Sequence, residues 1–253
     1  MWFPCSVRVF VCGSLRIEFA GGAVDEPAFP GRLGRRLWVY LVLNRRRPIG
    51  RSELAEALWG DGVPDAADAS LNALVSRVRG LVSRAPGDSA HLRSTSGAYA
   101  LALPDDAFVD RERAWTAIHH VRALRRQGDI RGAWGEAVIA SEITGRGLLA
   151  GEDGGWIEAE RRILKDIELQ ALEAVADALI DQARPEEAER VARRLIARDG
   201  LRESGYRVLM RALAAGGNRA QAARVMEECR AALAAASVSP SAETELVFRQ
   251  VLA

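Results

Sequence analysis

Lysine is almost missing from this 253-residue chain, and Lys165 is its one copy. A GxxxxGK[ST] phosphate loop or a Schiff-base mechanism would have to pass through that residue. It sits instead in RRILKDIELQAL, an amphipathic helical run with no glycine loop before it, so both are excluded. The cysteines Cys5, Cys12 and Cys229 are odd in number and lack metal-ligand spacing, which argues for buried free thiols rather than disulfides or zinc. His91, His119 and His120 have no Cys, Ser or acidic partner at catalytic or metal spacing. Adjacent His119 and His120 on a helix point about 100° apart and make no ligand pair. No apolar run approaches the roughly 18–20 residues needed to span a bilayer. The N-terminus has no basic stretch before an apolar region, and Arg8 interrupts the first apolar run, so no signal peptide is expected. The expectation is a soluble cytoplasmic protein that is not an enzyme, with no catalytic residues, no metal and no cofactor.

What the chain does contain is unevenly spread. Residues 1–105 carry 13 arginines against 10 carboxylates, and the remainder carries 22 basic residues against 24 acidic ones. The mild excess before residue 105 permits nucleic-acid binding without establishing it.

The strand signal is also confined to the first part. VRVFVCGSLRIEF (7–19) reads as two short β-runs broken at Gly13-Ser14. Gly21-Gly22 opens a loop that ends at Pro30-Gly31. Leu33, Leu37 and Leu41 then recur at helical spacing and predict a helix over 32–45, closed by Arg45-Arg46-Arg47 and Pro48. The three arginines suit either the negative end of that helix or backbone phosphates. A second helix starts at Gly50 as N-cap, with Glu53 at N3 and Leu54, Leu58 and Trp59 following. After GDGVPD, Asp65 is expected to cap a third helix with the stripe Leu71, Leu74, Val75, Val78, Leu81, Val82. Past APGD, HLRST and YALAL form a hairpin around Ser96-Gly97-Ala98. Strand, strand, three helices and hairpin within about 100 residues make a winged helix-turn-helix.

Beyond Pro104-Asp105-Asp106 everything looks helical: 110–127, 132–144, 155–183, 185–198, 202–215, 218–235 and 241–252. RPEEAERVARRLIARDG (184–200) and NRAQAARVMEECRAALA (218–234) align at an offset of 34 residues. Leu179 and Leu213 fall at the same offset, and Ala188 and Ala222 take the small-residue position. That period is tetratricopeptide-like. GDIRGAWGEAV (128–138) reads as an earlier member, displaced by an insertion around GRGLLAGEDGG. Trp38, Trp59, Trp115, Trp134 and Trp156 read as packing anchors. The fold class is therefore mainly α: an N-terminal winged helix with small β-sheets over 1–105, and an all-α repeat domain over 106–253.

The stretch RRPIGRSELAEALWGDGVPDAADASLNALVSRVRGL resembles the OmpR-type winged-helix domain of the Streptomyces antibiotic regulatory protein (SARP) family. The matching features are Leu54, Leu58 and Trp59, the acidic turn, Ser76 to Arg79, and Gly97-Ala98-Tyr99 of the wing. Asp110 opening a helix, GGWIEAERR (154–162) and the repeats resemble the bacterial transcriptional activator domain of the same proteins. The resemblance covers about Val7 to Leu252; the first six residues precede the usual family start. It implies a regulator that binds double-stranded DNA at promoter direct repeats and contacts RNA polymerase, with a homodimer on DNA left open.

If the third helix enters the major groove, Arg77 suits guanine and Asn72 adenine. Ala73 would touch a thymine methyl, Ser70 and Ser76 would bond phosphates, Arg79 flanks them, and Arg93 would reach phosphate or the minor groove. Ala69, Ala73 and Gly80 leave that face poor in base-reading groups. This favours the alternative, a helical-repeat interaction scaffold with weak DNA binding.

Overall fold

The computed structural model describes residues 7–85, 90–95 and 97–253. Cys5, Ser96 and most of the APGD turn lie outside the described residues. The chain divides into two compact units, residues 1–113 with 146–163, and residues 114–145 with 164–253.

The first unit opens with the two expected strands, β1 (Val7–Phe10) and β2 (Arg16–Phe19), which pair antiparallel with Val7, Val9 and Ile17 turned into the core. Two strands extend this sheet beyond what local pattern shows. β3 (Gly22–Asp25) pairs with β2 where a loop was expected, and β7 (Phe108–Val109) lies parallel to β1 through Arg8–Phe108 and Val9–Val109. The order is β3-β2-β1-β7.

Helix α1 (Gly31–Leu43) buries Leu37, Trp38, Leu41 and Val42. It stops two residues short of expectation: the backbone N–H of Asn44 still reaches the Tyr40 carbonyl, and the arginines follow outside the helix. α2 (Arg51–Trp59) starts at Gly50 as expected. α3 (Ala67–Val82) does not start at Asp65. Its N-cap is Ala66, and no side chain caps it. The Ala67 N–H bonds back to the Pro64 carbonyl at 2.9 Å, so Asp65 is spent inside the preceding turn. The wing is three-stranded, because β4 (Ile49–Gly50) adds to the hairpin of β5 (His91–Thr95) and β6 (Ala98–Ala102) in the order β4-β6-β5.

The segment 146–163 joins this unit through polar contacts. Arg36 on α1 is buried and donates from Nε to Glu152 at 2.8 Å and from Nη1 to the Leu58 carbonyl at 2.9 Å, with a further bond to the Asp153 carbonyl. Arg35 adds a bond to Glu152 at 3.1 Å. The Trp156 indole N–H donates to the Ala57 carbonyl at 2.8 Å, and its ring meets Tyr40 edge-on. Asp110, almost fully buried, accepts from the backbone N–H groups of Val11 and Cys12, both at 3.0 Å, and of Arg111 at 2.7 Å.

The second unit is helical. It holds part of α4 (Asp110–Arg126), α5 (Ile130–Thr144), part of α6 (Gly155–Asp181), α7 (Pro185–Arg198), α8 (Glu203–Ala215), α9 (Arg219–Ala235) and α10 (Ala242–Leu252). The 34-residue offset is built into the backbone. The Arg184 N–H bonds to the Leu179 carbonyl at 2.9 Å, and the Asn218 N–H bonds to the Leu213 carbonyl at 2.8 Å. Ala183 to Ile180 and Gly217 to Ala214 complete the same helix-ending turn twice. Asp129 to Leu124 and Gly128 to Arg125 make it a third time, at the earlier repeat member. Ala188 and Ala222 are fully buried.

Trp115 and Trp134 depart from the expectation of packing anchors, for both are exposed. On α4 the inward face is Ala114, Ala117, Ile118 and Val121, and on α5 it is Ala133, Ala137 and Ala140; each tryptophan falls one residue beyond it. Cys12 and Cys229 are buried free thiols, and burial pushes that of Cys229 up to about 11.

Gly128 and Gly217 hold the left-handed position of the turn with φ near 80°, but Ala183 takes it at φ 55°. Placing Ala183→Gly there removes a Cβ conflict of about 1–2 kcal/mol against an entropy cost of about 0.5–1. The variant should gain roughly 0.5–1 kcal/mol in urea unfolding. A loss of stability would show that Ala183 is not strained.

Candidate nucleic-acid interface

Helix α3 is amphipathic by its own sequence. Leu71, Leu74, Val75, Val78, Leu81 and Val82 are all buried. Asn72, Ala73, Ser76, Arg77 and Arg79 are exposed on the rest of the helix, beside Ala69 and Gly80, and Ser70 is half-buried. Arg77 makes no hydrogen bond or ion pair among the described residues, so its five N–H donors are available to a partner.

The other expected residues are partly engaged. The side-chain oxygen of Asn72 accepts from Arg51 Nη1 at 3.1 Å and from the Tyr99 hydroxyl at 3.4 Å. A two-bond contact to adenine needs that oxygen as well as the amide N–H, so it would have to displace Arg51. Arg79 Nε donates to the Leu92 carbonyl at 3.0 Å, which fastens α3 to β5. Arg93 is exposed on β5 and donates from Nε to His91 Nε2.

Arg51 is the residue that the sequence reading missed. At the first position of α2, it bonds Asp68 through Nε at 3.2 Å and Nη2 at 2.9 Å, and the Tyr99 hydroxyl through Nη1 at 2.7 Å. Its backbone N–H bonds the Gly97 carbonyl at 3.2 Å, and its guanidinium carbon stands 5.9 Å from the centre of the Tyr99 ring. One side chain thus ties the start of α2 to the start of α3 and to the wing. Its half-exposed ion pair with Asp68 adds little stability, so its effect is to fix geometry. No local signal could have shown this, because Asp68, Asn72 and Tyr99 stand 17, 21 and 48 residues away.

The arginine triplet after α1 is largely neutralised. Arg45 bonds Glu112 twice, at 2.6 and 2.9 Å, and Arg47 bonds Glu53. These guanidiniums hold both glutamates below the usual carboxylate range. Arg46 touches Glu112 only at 3.5 Å and is 82% exposed, so it is the member of the triplet left facing outward. Among the described residues, no group of His, Cys, Asp and Glu is placed to hold a metal ion, and no helix is long and apolar enough to cross a membrane.

Comparisons with known proteins agree on the family. The bacterial transcriptional activator domain matches residues 109–252. The regulatory protein AfsR of Streptomyces coelicolor is 32% identical over 200 residues, 79% of this chain and 20% of AfsR. AfsR of Streptomyces griseus is 29% identical over 90% of this chain and 23% of its own length. The transcriptional regulatory protein EmbR of Mycobacterium tuberculosis is 37% identical over 28% of this chain and 19% of EmbR. A solved structure of M. tuberculosis EmbR, in complex with a low-affinity phosphopeptide, superposes with a TM-score of 0.85 at 23% identity, over 98% of this chain and 65% of that one. This last is a likeness of fold. The chain spans about a fifth of the AfsR and EmbR sequences it matches.

Proposed function

We propose that this chain, which belongs to the bacterial transcriptional activator domain family, is a sequence-specific DNA-binding transcription regulator. It acts in the cytoplasm as an activator at promoter direct repeats, contacts RNA polymerase, and performs no catalysis of its own. The observation that carries this reading is the outward face of α3, with Arg77 unpartnered among the described residues while Arg51 and Arg79 lock the helix to α2 and the wing. Arg77 and Asn72 would read bases, Ala73 would meet a thymine methyl, and Ser70, Ser76, Arg79 and Arg93 would meet phosphates or the minor groove. Two copies on adjacent repeats would place two such helices on one face of the duplex.

Arg77→Ala tests the proposal. On the selected site it should cost about 1–3 kcal/mol and relax preference at one base pair, with folding almost unchanged. A phosphate contact would instead weaken specific and scrambled DNA alike and lower the salt slope by about one unit. Unchanged affinity for both sequences would move the weight to the scaffold reading, which the small outward residues Ala69, Ala73 and Gly80 favour.

The division of labour follows the sequence: residues 1–105 for DNA and 106–253 for protein contact. Folding follows a different line, since Asp110, Glu152 and Trp156 all bond within the first unit. Limited proteolysis at the exposed turn around Asp105 should therefore leave fragments that co-elute on size exclusion. Two fragments that separate and each stay folded would make residue 105 a folding boundary as well.

A further inference from the structure

The second unit carries a cleft of about 410 Å³ whose charge is one-sided. Arg122, Arg125, Arg126 and Arg202 line it against a single carboxylate, Glu173. Arg125 is answered by Asp177 at 2.6 Å, and Arg202 stands 3.6 Å from Asp166. The other two cations are not answered. Arg122 bonds only the neutral amide of Gln170, at 2.8 Å, and Arg126 makes no hydrogen bond or ion pair among the described residues.

Both belong to one exposed stripe of α4. Trp115, His119, Arg122 and Arg126 are exposed at helical spacing, while Ile118 and Val121 behind them are buried and close the floor. Arg122 and Arg126 lie about 6 Å apart along the helix, and Trp115 lies about 10 Å from Arg122. An extended peptide repeats a face every two residues, so same-face side chains lie about 6.6 Å apart and, four residues on, about 13 Å apart, within reach of the long Trp115 side chain. We propose that this cleft is a docking groove for an extended acidic segment of a protein partner. Two carboxylates, spaced two residues apart, pair with Arg122 and Arg126, and an apolar side chain four residues before the first, on the same face, covers Trp115. The open, elongated cation stripe suits a strand of chain better than a compact ligand. The inference deepens the protein-contacting role proposed above and rests on it.

The probe is a labelled peptide Gly-Leu-Ser-Ser-Ser-Glu-Ser-Asp-Gly, with its Gln/Asn counterpart as control, titrated into the full chain by fluorescence anisotropy. The acidic peptide should bind saturably, and the amide peptide about tenfold more weakly. Arg122→Glu/Arg126→Glu should lose about tenfold, the milder Arg126→Gln and Trp115→Ala a few-fold each, and the outlying Arg131→Glu nothing. Affinity of the double variant for the selected DNA site should stay at the wild-type value. DNA recognition therefore stands or falls with Arg77, independently of this groove. The proposal is overturned by absence of saturable binding below about 1 mM, by equal binding of the amide peptide, or by indifference to the charge reversal. Equal competition by a short DNA duplex would also overturn it, since the stripe would then be a general polyanion surface.

Discussion

Glu152→Ala should lower the unfolding free energy by about 3–5 kcal/mol, the cost of leaving a buried cation without its counter-ion. The side chains of Glu152 and Arg36 are 4% and 9% exposed, so water cannot replace either partner. Arg35 and Arg32 also converge on Glu152, at 3.1 and 3.6 Å, and their repulsion adds to the penalty once the carboxylate is gone. Urea unfolding measures the loss. The double variant Arg36→Met/Glu152→Ala should recover part of it, because the pair then leaves together. A single-variant loss under about 1 kcal/mol, or a double variant as poor as the sum, would show that solvent reaches the pair.

Asp110→Ala should cost about 3 kcal/mol, because it strands the backbone N–H groups of Val11 and Cys12 in the core at about 1–3 kcal/mol each. Asp110→Asn tests the charge separately. Burial lifts the Asp110 carboxyl above its ordinary 3.8, although three backbone N–H groups pull it the other way. The folded state then holds this proton more tightly than the unfolded chain. Its stabilising share is present below the ordinary value and is lost as pH rises through the lifted one. The wild type should therefore lose stability relative to Asp110→Asn as pH climbs from about 4. A constant difference between the two across that range would mean that the carboxyl titrates normally.

The helical part of this fold was open to sequence reading because its signals are local. All the helices of 110–252 follow from apolar spacing, and their ends lie within about two residues of expectation. The repeat was visible because Leu179 and Leu213 govern the same turn in two copies. β4 and β7 were invisible for the opposite reason. Each is two residues long, and its partners, Tyr99 for Ile49 and Arg8 for Phe108, lie 50 or 100 residues away in sequence. Asp65 was read as a cap because its residue type suits one, but the turn at Pro64 delays the helix. At the candidate interface, periodicity placed Arg77, Asn72 and Arg79 off the buried stripe of α3. It did not show that Arg51 holds Asn72, or that the Leu92 carbonyl holds Arg79, since both contacts come from elsewhere in the chain.

The Arg36–Glu152 bond joins residues 116 positions apart, which sets a schedule for synthesis on the ribosome. When residue 113 has been translated, β7 and Asp110 are in hand, but the counter-ion of Arg36 and the indole that bonds Ala57 do not yet exist. At about 5–20 residues per second, the remaining stretch to residue 163 takes roughly 3–10 s. Throughout that interval the nascent chain carries a buried-to-be guanidinium without its counter-ion, so the first unit stays immature. A message broken between these points yields a product that cannot finish this unit, rather than a shorter chain that folds to completion.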